Sequence, residues 1–154
     1  MFRHPRALWS AVLCATALPS FVSAADPVVA TSDGDQPGVT VQVNELKVSN
    51  GTAMLKFTIV NNSTNTFDGD SLRGGTAGMN HVGGVYLVDF VNKKKYLVMF
   101  DSANSCLCSR EVANIPAKAS ANYWARFAAP PDNVQKIGVV VPHFQPLDNV
   151  PVSR

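Results

Sequence analysis

Cys106 and Cys108 sit two residues apart in the stretch Tyr96–Arg110, YLVMFDSANSCLCSR. In an extended strand, residues i and i+2 face the same side. At a rise of about 3.3 Å per residue their Cα atoms would be about 6.6 Å apart, near the upper limit for a disulfide. A bridge therefore needs a bend, and the run Asp101–Ser105 supplies turn-forming residues just before it. In an oxidising compartment free thiols rarely persist, so the first expectation is a small structural disulfide closing a tiny loop. Such a loop stabilises less than a long one. Three other chemistries compete. A strained bridge is easily reduced, which would make the pair redox-active. Two thiolates joined by His81, His143 or one of Met54, Met79 and Met99 would suit copper(I), although no blue-copper spacing is present. Pairing with another chain is the fourth.

The remaining residues offer little catalysis. His81 lies in a glycine-rich region and His143 in a proline-rich tail, each isolated. Ser71, Ser105 or Ser109 could be drawn beside either histidine, but no nucleophile-elbow or Cys–His pattern supports a hydrolase. The glycines near Arg73 lack a phosphate-cradling motif, and Asp33-Gly34-Asp35 lacks the spaced oxygens of a calcium loop. A non-enzymatic protein without a cofactor is expected. Trp124 and Arg126 are better candidates for binding, because exposed aromatics beside arginine are enriched at interaction hot spots. Arg73 and His81 are further candidates on the long loop.

The elements that must position these residues read as strands. Val39–Val48 alternates apolar and polar, Asn50-Gly51 is a strong hairpin signal, and Ala53–Val60 returns with Ala53, Leu55, Phe57 and Ile59 on one face. Residues 61–84 form a long irregular region, functional or mobile, with sequons beginning at Asn61 and Asn62 as well as at Asn50. Val85–Val91 and Lys95–Phe100 make a second hairpin with a lysine-rich tip. Arg110–Ile115 could form one helical turn. Ala119–Ala128 places Ala121, Tyr123, Ala125 and Phe127 on one face, with Trp124 and Arg126 on the other. Val134–Val141 is a buried strand, and the tail is extended along a sheet edge. About seven short strands without a confident helix predict an all-β, antiparallel, immunoglobulin-like β-sandwich. A small closed barrel is the alternative. No Cys…Trp…Cys spacing marks a true immunoglobulin domain.

The chain has 154 residues, which suggests one domain. Arg3, His4 and Arg6 precede an apolar run, Ala7–Leu18, and Val22-Ser23-Ala24 offers a cleavage pattern. Residues 1–24 are thus expected to be a signal peptide, 25–37 a flexible leader and 38–154 the domain. Leu13 before Cys14 argues against a lipobox. Cleavage removes Arg3 and Arg6 from 13 basic residues, leaving 11 against 11 acidic. That balance disfavours nucleic acid. The expected location is periplasmic, envelope-associated or secreted, with no integral membrane segment after cleavage.

Several short patterns carry a resemblance: Lys95-Tyr96-Leu97-Val98, Cys106-Leu107-Cys108-Ser109, Trp124-Ala125-Arg126-Phe127, Ala129-Pro130-Pro131 and Asn149-Val150-Pro151-Val152. Over roughly residues 85–152 the chain resembles a group of bacterial exported immunoglobulin-like domains of unknown role. Some relatives join such a domain to an outer-membrane-protein-A-like domain that binds peptidoglycan, for which this chain has no room. The resemblance implies an envelope or secreted location and an immunoglobulin-like fold, and it brings no activity. The expected function is a module that binds another envelope or secreted protein or component, through residues 61–84 and the region near Cys106–Cys108. The alternative is redox or soft-metal handling by that cysteine pair.

Overall fold

The computed structural model describes residues 27–73 and 80–154. The expected signal peptide, Cys14, Met79 and the glycines at 74, 75 and 78 lie outside the described residues. Among the described residues no helix is long and apolar enough to cross a membrane.

Among the described residues, eight strands form two four-stranded antiparallel sheets over a shared apolar core. The first sheet has the order β1 (Ala30–Asp33), β2 (Val39–Ser49), β3 (Thr52–Asn61), β6 (Ala119–Ala128). The second has the order β5 (Lys94–Leu97), β4 (Tyr86–Asp89), β7 (Lys136–Val140), β8 (Leu147–Pro151).

The β2–β3 hairpin follows from its sequence. Asn50 and Gly51 have φ of 50° and 74°. A type I′ turn needs both central residues in this left-handed region, where Asn and Gly are tolerated best. The turn then sets the register, and period-two alternation buries Val41, Val43, Leu55, Phe57 and Ile59. Each such side chain contributes about 1.5–3 kcal/mol by leaving water. Asn44 is the extra residue of a bulge between Val43 and Glu45. β6 lies along β3 without interruption, so Tyr123, Ala125 and Phe127 enter the core while Trp124 and Arg126 take the outer face. That is the alternation expected from sequence.

Four expectations shift. Residues 30–33, expected within a flexible leader, are β1, paired with β2 from Ala30–Val43 to Asp33–Thr40. β4 and β5 are shorter than expected, and Phe90 and Val91 open the turn between them, 65% and 64% exposed. Asp89 draws the chain round there. Its Oδ1 accepts from the amides of Val91 and Asn92 at 3.0 and 2.9 Å, and its Oδ2 accepts from Asn92 Nδ2 at 2.8 Å. Burial on its own raises the Asp89 pKa, but these hydrogen bonds outweigh it and hold the carboxyl below its usual value. Of the three lysines expected at the tip only Lys93 is in the turn; Lys95 lies on β5 with Nζ 3.6 Å from the centre of the Tyr86 ring. Finally, Arg110–Ile115 makes no helical turn, because its backbone groups are taken by the long loop.

Candidate functional site

The long loop is not formless. It holds a 3₁₀ turn, Gly69–Arg73, and is clamped twice against residues 109–115. At one clamp the Phe67 and Ile115 backbones exchange hydrogen bonds, both 2.9 Å. At the other, Val82 N donates to Ser109 O at 3.1 Å and Glu111 N donates to Asn80 O at 2.8 Å. Buried Asn61 reinforces the first clamp. Its Nδ2 donates to the carbonyls of Asn65, Ile115 and Pro116 at 2.8, 2.9 and 3.1 Å, and its Oδ1 accepts from Ser63. The sequon at Asn61 is therefore closed in the folded protein, whereas Asn62 is exposed.

The second clamp brings His81 to the cysteines. Residues 98–109 cross from β5 to the free edge of β6 and run along it. Met99 N donates to Arg126 O at 2.9 Å, Arg126 N to Leu107 O at 3.0 Å and Ser109 N to Trp124 O at 2.8 Å. Phe100 bridges Cys106, and Cys108 bridges Ala125. The chain bends as expected, so the two Cα atoms are 5.3 Å apart and the sulfurs lie at bonding distance. The side-chain ligand atoms of His81, Cys106 and Cys108 lie within 4.8 Å of one another, and all three residues are buried.

The imidazole is held on two sides. Gly83 N donates to His81 Nδ1 at 2.9 Å, which fixes that nitrogen as an acceptor and leaves the proton of the neutral ring on Nε2. Phe100 meets the ring edge-on at a centroid distance of 5.9 Å. A Cβ at residue 83 would lie 2.4 Å from the ring, so only glycine lets the imidazole occupy this place.

Three grooves open around this point. One of about 710 Å³ is lined by Cys106, Cys108, Arg110, Glu111, Tyr123 and Trp124, among others. One of about 640 Å³ is lined by Asn80, His81, Ser105, Cys106, Arg110 and Glu111. The third, about 440 Å³, lies on the outer face of the first sheet between Asn44, Met54, Lys56, Thr58, Asn122, Trp124 and Arg126. Trp124 is a wall shared by the first and third, with 39% of its surface exposed. Thr58 Oγ1 lies 2.9 Å from Asn44 Oδ1 and 2.7 Å from Asn122 Oδ1 on the floor of the third. Arg126 Nε is buried and has no hydrogen-bond partner among the described residues.

Of the sequence-predicted candidates, the structure gathers Cys106, Cys108 and His81, and places Trp124 and Arg126 on adjoining groove walls. It does not gather the other two. Arg73 pairs with Asp70 at 3.0 Å on the 3₁₀ turn and lines none of these grooves. His143 Nδ1 meets exposed Asp35 Oδ2 at 3.2 Å, outside the His–Cys–Cys cluster. Sequence reasoning missed Asn61 and Gly83. Asn61 opens a polar Asn-Asn-Ser-Thr run at a strand end, a signal for side-chain-to-backbone bonding, but nothing local names its distant partners.

No protein-family model matches this chain, and no curated protein sequence matches it. Among solved structures, one described as a functionally unknown protein from Listeria monocytogenes EGD-e is similar at 14% identity. The match covers 82% of this chain and 85% of that one, with a TM-score of 0.45. At that level it carries no argument about fold family or role.

Proposed function

We propose that this chain is an exported, non-enzymatic, immunoglobulin-like module that binds another cell-envelope or secreted component through the surface around Trp124. The immunoglobulin-like reading is supported by strand order. β2, β3 and β6 match strands A, B and E of that fold, and β5, β4, β7 and β8 match C′, C, F and G. The Cys106–Cys108 disulfide, in this reading, pins the segment that covers the β6 edge.

One observation carries the binding site: exposed Trp124 and partly exposed Arg126 line the same groove on the outer face of the first sheet. An arginine offers several donors to an acceptor arriving from outside. The Trp124 ring supplies rigid apolar area beside it. The test is capture from an envelope extract by the wild-type chain and by Trp124→Ala, with circular dichroism to confirm folding. The expected result is a component retained by the wild type and lost at least about tenfold in the variant, as for a hot-spot aromatic. Equal retention by both, or no specific retention, would remove the proposal's support.

A further inference from the structure

We infer that His81, Cys106 and Cys108 form a redox-gated site for a soft monovalent metal ion, copper(I), closed while the cysteines are oxidised and opened by their reduction. This goes beyond the binding role, which rests on Trp124 and Arg126. The placement of His81 is the starting point. It comes from a loop 25 residues before Cys106, yet the ladder formed by residues 80–82 and 109–111 delivers its ring to the two sulfurs. Backbone pairing could have placed any side chain there. What distinguishes this one is that Gly83 orients it twice over, by donating to Nδ1 and by lacking a Cβ that would displace the ring. In the oxidised chain the Gly83 amide occupies Nδ1, so coordination through Nε2 requires the ring proton to pass to Nδ1 and that amide to let go.

The ligand chemistry follows. Two thiolates and one imidazole are soft and borderline donors, which suit copper(I) or zinc. Structural zinc takes four protein ligands. Among the described residues the cluster offers three, and no carboxylate joins it. Copper(I), a closed-shell ion content with two or three soft ligands, is the better match. The ligand atoms already lie within 4.8 Å of one another. Metal–sulfur and metal–nitrogen bonds of about 2.3 and 2.0 Å need only a modest contraction on His81 and a parting of the sulfurs. Access comes through the grooves that His81, Cys106 and Cys108 line.

The redox step balances with a dithiol as reductant. The Cys106–Cys108 S–S bond breaks, the donor dithiol supplies two electrons and two protons, and the donor leaves as its own disulfide. Copper(I) then displaces both thiol protons to solvent and binds the neutral imidazole of His81 at Nε2, whose proton is replaced by one taken up at Nδ1 as the Gly83 hydrogen bond opens, so that two protons are released in all. The oxidised pair has no thiolate to offer, so the disulfide is the closed state.

The experiment uses the full chain carrying Cys14→Ser, so that no other thiol contributes. The protein is reduced with dithiothreitol, desalted without oxygen and titrated with copper(I) against a colorimetric copper(I) chelator. The same protein left oxidised is the control and requires no further mutation. The expected result is one copper(I) per reduced chain, none retained by the oxidised chain, and at least a tenfold weaker affinity in His81→Ala than in the reduced parent. Equal retention in both redox states would overturn the inference, as would unchanged affinity in His81→Ala. Stoichiometric retention of zinc in preference to copper(I) would overturn the assignment of the ion. Loss of capture in Trp124→Ala leaves this titration unchanged, so the two proposals fail separately.

Discussion

The first sheet and the segment that crosses onto its edge are built on opposite principles. β2, β3 and β6 are 10 or 11 residues long, and apart from the bulge at Asn44 their core faces repeat the same operation at every second residue. Their stability is spread over many apolar side chains. Residues 80–82 and 98–111 contain no long strand. They are fixed by a handful of backbone bridges, the Cys106–Cys108 pair, and a glycine that fits one imidazole. Distributed burial sets how stable the molecule is, whereas sparse, specific contacts set where its reactive side chains stand. Damage to the first should lower stability globally, and damage to the second should move the site while leaving most of the stability in place.

The largest expected effect is on the distributed side. Phe57→Ala removes a fully buried ring that packs 5.6 Å from Tyr123 and should cost about 3–5 kcal/mol in urea unfolding. A loss below about 1 kcal/mol would show that the core is not what holds the sheet. Next comes Asn61→Ala, which removes the side-chain hydrogen bonds to the Asn65, Ile115 and Pro116 carbonyls that reinforce the first clamp. It should cost about 2–3 kcal/mol and raise amide hydrogen exchange at Phe67 and Ile115 ahead of β2 and β3. Uniform acceleration everywhere would break the contrast.

Asp89→Asn tests a third, intermediate device, a single carboxylate that caps a turn. Its lowered pKa means that the unfolded chain, with an ordinary value near 3.9, binds the proton more readily. The stabilisation is therefore full above about pH 5 and is lost as pH falls through about 4 toward the folded value. The variant should lose about 1–2 kcal/mol at neutral pH and show a flatter stability profile between about pH 5 and 3. The smallest effect belongs to the Cys106→Ser, Cys108→Ser double variant. Closing so short a loop is worth no more than about 1.5 kcal/mol on the chain-entropy account, so the melting curve should shift only slightly while thiol chemistry disappears.

The same contrast explains what could be read from the sequence. The β2–β3 hairpin and β6 were legible to within a residue or two, because alternation and the Asn50-Gly51 turn are local signals. Core and outer faces of β6 followed from parity alone. The all-β architecture in two antiparallel sheets followed as well, with eight strands among the described residues against about seven. β1 was not legible: Ala-Thr-Ser-Asp carries little apolar patterning, and the strand exists because β2 offers it an edge. The helical turn expected at Arg110–Ile115 lost to pairing with residues some 30 to 50 positions earlier. At the candidate site the cysteines were visible by type and spacing, and His81 was one of two histidines that could join them. Choosing between His81 and His143 required knowing that residues 80–82 lie along 109–111, which no local pattern states.

The Asn50–Gly51 turn has a consequence for the order in which this protein assembles. It joins two long strands through the shortest connection an antiparallel pair allows, so β2 and β3 can zip without closing a large loop, on a timescale of about 1–10 μs for hairpins. β6 adds to that hairpin across a far longer stretch; the Thr58–Asn122 contact alone spans 64 residues. That closure carries an entropic cost before any contact rewards it. The hairpin is thus the natural early template, and the edge on which the cysteine segment lies does not exist until β6 has docked. His81 and the two sulfurs meet last, on a surface made by everything that folded before them.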